Sequence, residues 1–358
     1  MSFQKYFATL FTISTALPSA LPFPLNSSNV SRFLPLADIT AGPRQEHSTV
    51  YLAPDTIAVI GGMVPNASAL LAPFSSTDQV ELYSITKNTW RSAAPIPKIL
   101  NHPNSAVVDG KIYVLGGMDD GDAAREYFHV ANDSWVYDPA TDAWSSIDPF
   151  PSARGIAAVE VYEEKIYLVG GYTKLYLPSQ VPLLDAISDE VSVYDTKTQA
   201  WITESLPEKA KHIPGPRDHA RSAVVDDKLY VIGGFSYGGY NQSDTVFILD
   251  LKSPEAGWVT SPARMPTPRA SFGIAVQGNL IYTIGGEGNA TADAFVPLRV
   301  FDDVEVYDTV ADAWTQLEPI SYERQGPGVG VGGKMYLPGG ADRQPVGPIA
   351  RFDEYIME

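Results

Sequence analysis

The chain has 358 residues, a net charge of −17 and no cysteine. The acidity disfavours nucleic acid and anionic membrane surfaces as partners, and without cysteine no disulfide can hold the fold. Hydrophobic residues at 44% suffice for a core, while 29 glycines and 29 prolines suit many short strands and turns.

The first residues read as a secretory signal. Lys5 precedes an apolar run over residues 6–17, and small residues follow up to Ala20. This predicts a signal peptide over 1–20, a short linker over 21–30 and no membrane span after cleavage, because the run is too short to cross a bilayer. An uncleaved tail or anchor is the alternative. Six Asn-x-Ser/Thr sequons, at Asn26, Asn29, Asn66, Asn132, Asn241 and Asn289, fit entry into the secretory pathway and a secreted or lumenal glycoprotein.

From residue 31 onward one pattern repeats. Gly-Gly pairs stand at Gly61-Gly62, Gly116-Gly117, Gly170-Gly171, Gly233-Gly234, Gly285-Gly286 and Gly339-Gly340, with gaps of 55, 54, 63, 52 and 54 residues. Each pair ends a run of strand character, and five of the runs carry Tyr three residues before the first glycine (Tyr113, Tyr167, Tyr230, Tyr282, Tyr336). A second strand follows in each repeat and leads to Trp90, Trp144, Trp201, Trp258 or Trp314. Paired glycines let backbones approach closely, and the Trp is large enough to bridge adjacent sheets. The set resembles the kelch motif over residues 31–358. That resemblance implies an all-β, six-bladed kelch β-propeller with four strands per blade. The sixth repeat lacks its Trp and an outer strand. Residues 32–36 read like the missing piece, so the N-terminal strand is expected to close the last blade and remove its edge.

The loops after each Gly-Gly pair are long and carry apolar side chains, among them Phe74, Tyr172 and Tyr237. Such loops on one face suggest a lipophilic pocket or a lid packed on itself. Beside them begin the innermost strands. Counted back from Gly-Gly, Arg154, Arg217 and Arg269 share one position, Arg324 falls one residue later, and Arg44 lies near by. His47, His102 and His219 share another. In peptide-binding kelch propellers, Arg at the start of this strand lines the ligand mouth, and the resemblance implies that role here. The alternative is that each Arg ties blades together through backbone carbonyls or through Asp218 and Glu46. For the histidines, packing or hydrogen bonding within the repeat competes with ligand contact.

Several chemistries drop out. Kelch enzymes resembling galactose oxidase need a Cys–Tyr cross-link, which this chain cannot make. The Glu-x-x-x-Asp-x-x-x-His iron motif of plant specifier proteins is absent. A metal site on His47, His102 and His219 is disfavoured by their spread around the ring, so neither metal nor cofactor is expected. What remains resembles the secreted propeller hetero-Diels–Alderases of fungal natural-product pathways, which join a polyene terpene to a tropolone-derived quinone methide. On that resemblance the partner is a small lipophilic substrate. Arg217, His219 and Arg154 are the expected catalytic donors, and Arg269, Arg324, His47, His102, Tyr172, Tyr237 and Phe74 the expected substrate contacts. The rival reading is a non-catalytic secreted propeller that binds a peptide, glycan or wall polymer.

Overall fold

Alternating apolar residues around each Gly-Gly pair build a four-stranded antiparallel sheet. The computed structural model describes residues 32–68, 74–121, 127–173, 175–176, 187–236, 241–289, 298–344 and 347–357. The expected signal and linker, with Asn26, Asn29 and Tyr237, lie outside the described residues.

Blade one comprises Ser48–Leu52, Thr56–Ile60, Val80–Ser84 and Thr89–Ala93, from the inner strand outward. Blade two runs Ser105–Val108, Lys111–Asp119, Tyr127–Asp138 and Ala143–Ser146. Blade three runs Ala158–Tyr162, Lys165–Val169, Val191–Asp195 and Ala200–Trp201. Blade four has Arg221–Val225, Lys228–Ile232, Val246–Asp250 and Val259–Thr260. Blade five has Gly273–Gln277, Leu280–Ile284, Val304–Asp308 and Ala313–Leu317. Blade six has Val329–Val331, Lys334–Pro338 and Phe352–Ile356, and its outer strand is Phe33–Pro35 from the other end of the chain. The pairing Phe33↔Tyr355 and Pro35↔Asp353 closes the ring as expected. Each inner strand touches the inner strands of both neighbouring blades, and blade six touches blade one.

The apolar core lies between blades, with one cluster at each of the six junctions. At the closing junction Ile57, Tyr83, Tyr336 and Phe352 pack together. The aromatic register has a defined job. Tyr83, Tyr137, Tyr194 and Tyr307 lie 5.1–5.2 Å from Trp90, Trp144, Trp201 and Trp314, each opposite on the outer strand. The indole N–H then reaches the preceding blade: Trp90 donates to the Ala37 carbonyl, Trp144 to Ala94, Trp201 to Asp148 and Trp258 to Ala210. Trp314 packs on Tyr307 without such a bond.

The glycines are required by contact as well as by torsion. Gly61 has φ +59°, and a Cβ there would sit 2.6 Å from the Leu100 carbonyl. At Gly170, φ +66°, the Arg217 carbonyl would be 2.3 Å away. No side chain fits against backbone at those distances.

Ring closure makes Phe33 a test of the whole fold. Its ring is buried and lies 5.3 Å from Tyr322. Phe33→Ala is expected to cost about 3–5 kcal/mol in urea unfolding. Removal of residues 1–36 should abolish the single cooperative transition.

Candidate functional site

The second residue after the Arg position is the one that reaches the axis. Isolated bridges set the register: Gln45↔Met63, Asn101↔Met118, Gly155↔Tyr172, Asp218↔Phe235, Ala270↔Glu287 and Gln325↔Ala341 occupy equivalent places in the six blades. The next residue in each blade has positive φ: Glu46 (53°), His102 (48°), Ile156 (56°), His219 (51°), Ser271 (53°) and Gly326 (137°). A left-handed turn at a residue with a side chain is held only where surrounding contacts enforce it. Here backbone bonds link the turns from blade to blade. The His102 N–H donates to the Glu46 carbonyl, Ile156 to His102, Ser271 to His219 and Gly326 to Ser271. The six residues form a crown at the mouth of the central channel, and Glu46, His102, Ile156 and His219 border its cavity of about 120 Å³.

This register corrects the count made from Gly-Gly. The turn after the inner strand of blade one holds three residues, Ala53, Pro54 and Asp55, where the other blades have two. The extra residue moves His47 one place along, and Glu46 takes the position equivalent to His102 and His219. His47 instead sets its Nε2 3.0 Å from the Pro338 carbonyl. Burial and the nearby Arg44 push its pKa down to about 3, so it stands neutral and donates that bond.

The arginines also differ from the ligand-lining expectation. Arg154 is fully buried, donating from Nε to the Gly170 carbonyl at 2.6 Å and from its Nη atoms to Ser152, Leu168, Glu190 and Ser192. Arg269 does the same with the Gly285 and Thr283 carbonyls, and it pairs with Glu305 at 2.5 Å with both side chains fully buried. Arg324 binds the Gly339 and Leu337 carbonyls and Asp353. Arg44 binds Gln79. Arg217 donates to the Pro216 carbonyl and Thr245 Oγ1, and lies over the Phe247 ring. None of these five borders the crown cavity. Their Nη donors bind acceptors within their own blades, so the side chains brace each blade internally and bind neither Asp218 nor Glu46.

The guanidinium that does border the cavity is Arg221, at the start of the inner strand of blade four. Its Nε–H donates to the Phe272 carbonyl of blade five at 2.9 Å. Burial lowers its pKa to about 10, with Glu46 and Glu287 opposing, so it keeps its charge at neutral pH. Nothing in the repeat count marks it, because its counterparts in the other blades are not arginine.

Around the crown the contacts are short. Glu46 Oε2 lies 2.8 Å from His102 Nε2, and Gln325 donates to Oε1 at 3.1 Å. Burial opposes the Glu46 charge, yet His102 and His219 outweigh it and hold the carboxyl well below the usual range. His219 Nδ1 lies 2.6 Å from Asp218 Oδ1. Burial works against a charged His219, but Asp218, Glu287 and Glu46 together raise its pKa. The His219 ring meets Tyr172 and Phe235 edge-on at 6.1 and 5.6 Å, and His102 at 5.5 Å. Glu287 accepts from Ser271 and Gln344, and burial pushes its pKa up. Phe74 sits on a short hairpin with Met63–Pro65, opposite Pro65, and does not border the cavity.

Further along the inner strands lies a space of about 390 Å³, bordered mostly by apolar residues such as Val50, Val107, Val161, Ala223 and Val276, and also by Thr49, Tyr51, Ser105 and Ser222. One carboxyl, Glu160, enters this apolar stretch and accepts the Val161 N–H at 3.1 Å.

Of the described sequons, Asn132 and Asn241 are exposed, Asn66 is partly buried, and Asn289 is 8% exposed. Asn289 therefore offers no accessible acceptor in the folded chain.

A closed ring of six blades, with ionisable groups crowning an apolar channel, defines a β-propeller with a polar mouth. The chain belongs to the kelch-repeat family, matching the KLHDC2/KLHL20/DRC7 Kelch-repeats domain over residues 22–201 and 184–340. It is 37% identical over 303 residues to Kelch-like protein terF of Aspergillus terreus, spanning 83% of this chain and 61% of that one. Beta-scruin of Limulus polyphemus is 23% identical over 73% of this chain and 26% of its own length. The chain thus spans about three fifths of its fungal relative's length and a quarter of beta-scruin's. The solved structure of YjhT superposes with a TM-score of 0.70 at 18% identity, covering 88% of this chain and 95% of that one, which shows the same fold.

Two measurements check this assignment. Arg269→Ala strands Glu305 as a buried carboxylate, so urea unfolding should show a loss of about 3–5 kcal/mol. For Glu160, burial raises the pKa from 4.5 to about 7. The unfolded chain releases this proton near 4.5, whereas the folded chain holds it until about 7. The stabilisation is therefore complete at low pH and is lost as pH rises through about 7. Glu160→Gln should leave the melting temperature unchanged at low pH and raise it in mildly alkaline buffer, flattening the pH profile. An unchanged profile would refute the buried carboxyl.

Proposed function

We propose that this propeller is a small-molecule enzyme of secondary metabolism whose substrate sits with a polar head at the crown and a lipophilic body in the channel. The observation that carries this reading is the stacking along one axis of a charged, hydrogen-bonding mouth and an apolar bore. A peptide-binding surface needs no such bore. The fungal relative supports the resemblance to fungal natural-product propellers.

Within that class we favour a hetero-Diels–Alder reaction between a polyene terpene and a quinone methide. Such a cycloaddition requires two lipophilic partners held in a reactive pose, which converts a bimolecular step into a nearly unimolecular one. It also requires a donor at the dienone oxygen, where charge gathers in the transition state. Arg221 suits that task better than the buried arginines, since it borders the cavity, remains charged, and is oriented by the Phe272 carbonyl. Tyr172 and Phe235 are buried behind His219 and hold its ring edge-on. The crown's backbone bonds hold these groups before the substrate arrives, so little reorganisation is needed at the moment of reaction. The apolar leader, the sequons and the exposed Asn132 and Asn241 support placement in the secretory pathway as a glycoprotein.

Purified protein is to be incubated with a polyene sesquiterpene and a quinone methide precursor derived from a tropolone. Wild type should accelerate cycloaddition over the background reaction and give one stereoisomer. Arg221→Ala and Arg221→Lys should lower kcat by about 10²–10³ and loosen stereochemical control while the thermal transition is preserved. Binding of both partners without any acceleration would leave the protein a carrier and defeat the catalytic reading.

A further inference from the structure

The structure assigns to the crown a divalent transition-metal site, with Glu46, His102 and His219 as its protein ligands. The donor atoms of these three side chains lie within 4.8 Å of one another, although the residues come from blades one, two and four. This inference goes beyond the reaction proposed above and does not depend on it.

Hydrogen-bond logic decides which imidazole nitrogen faces inward. Ser76 Oγ donates to Asp120, so it must accept from Asn101 Nδ2, at 2.7 Å. That orients the Asn101 amide with Oδ1 toward His102 Nδ1, 2.5 Å away. An amide oxygen only accepts, so Nδ1 carries the proton, and in the neutral ring Nε2 presents its lone pair to Glu46. Asp218 Oδ1 fixes His219 in the same tautomer at 2.6 Å. Metal-binding histidines are oriented in this way, with the outer nitrogen bonded to a carboxylate or carbonyl group and the inner one free to ligate. The Glu46 carboxylate and the His102 lone pair stand 2.8 Å apart. Two acceptors at that distance need a cation between them. A proton serves one such pair, whereas three convergent donors are served together by an ion.

The donor chemistry narrows the ion. Two imidazoles and one carboxylate suit Zn²⁺ or Fe²⁺ and leave coordination positions open, whereas Mg²⁺ and Ca²⁺ prefer oxygen ligands alone. Ligand bonds of about 2.0–2.2 Å require the Glu46–His102 pair to open slightly from 2.8 Å and the wider separations, up to 4.8 Å, to draw in. The open positions face the cavity and would accept water or an oxygen of a bound small molecule.

The test is direct binding of Co²⁺, a spectroscopic stand-in for Zn²⁺, to the full chain after chelator treatment. Wild type should take up one Co²⁺ per chain with visible d–d bands of a low-coordinate site, release it to Zn²⁺, and melt at a higher temperature when loaded. His102→Ala, His219→Ala and the near-isosteric Glu46→Gln should each lose the bands. Asn101→Ala should weaken binding by about 10–100-fold, and His212→Ala, at an exposed site elsewhere, should bind as wild type does. Circular dichroism identifies any variant that fails to fold, and Glu46→Gln, which keeps the side-chain shape, then carries the decision. No uptake by wild type, or full uptake by a folded Glu46→Gln chain, would overturn the assignment.

Discussion

The clasp between the Gly-Gly pair and the Arg position governs this molecule. Within a blade, the guanidinium binds the carbonyl of the first glycine, as Arg154 does with Gly170 and Arg269 with Gly285. Between blades, the second glycine donates its N–H to the backbone carbonyl at the next blade's Arg position: Gly171 to Arg217, Gly234 to Arg269, Gly286 to Arg324 and Gly340 to Arg44. A side chain on the first glycine would collide with that same carbonyl. One contact therefore fixes the end of the second strand, the start of the next inner strand and the spacing of the blades. The buried charge of Arg154, Arg269 and Arg324 is tolerable because each guanidinium meets several acceptors, a carboxylate among them.

The crown is a consequence of that clasp. Two residues past the clasped carbonyl the chain turns through a residue of positive φ, and backbone bonds join these turns at four of the six junctions. Closely similar left-handed turns thus present Glu46, His102, Ile156 and His219 to one small space. Such a scaffold separates stability from chemistry, because the Arg, Gly and Trp positions hold the ring while the crown residue of each blade is free to vary. Glutamate, two histidines and isoleucine at one mouth are a particular chemical choice.

Most of the fold was legible in the chain. Six Gly-Gly pairs with Tyr and Trp in register identified the blades, and the missing outer strand of the sixth pointed to residues 32–36. These signals are local, since a glycine pair or an indole has the same task in every repeat. The site was legible only in part. His102 and His219 were singled out, and they meet at the axis. Glu46 was hidden because the longer turn at Ala53, Pro54 and Asp55 makes a count from Gly61 name His47 instead. Arg221 was hidden because it follows no repeat.

The repetition alone determined the architecture, the closure and the positions where arginine precedes five of the six inner strands. Only the tertiary structure decided what those arginines face. For Arg154, Arg269 and Arg324 a carbonyl of the Gly-Gly turn about fifteen residues along the chain takes one of the donors, while Arg44 turns to Gln79 and Arg217 to Thr245. Which residues converge was likewise decided in space, since Glu46 and His219 are brought together by the radius of a ring that no local pattern encodes. Hydrogen-bond capacity is a property of a residue, but the partner that fills it is a property of the fold.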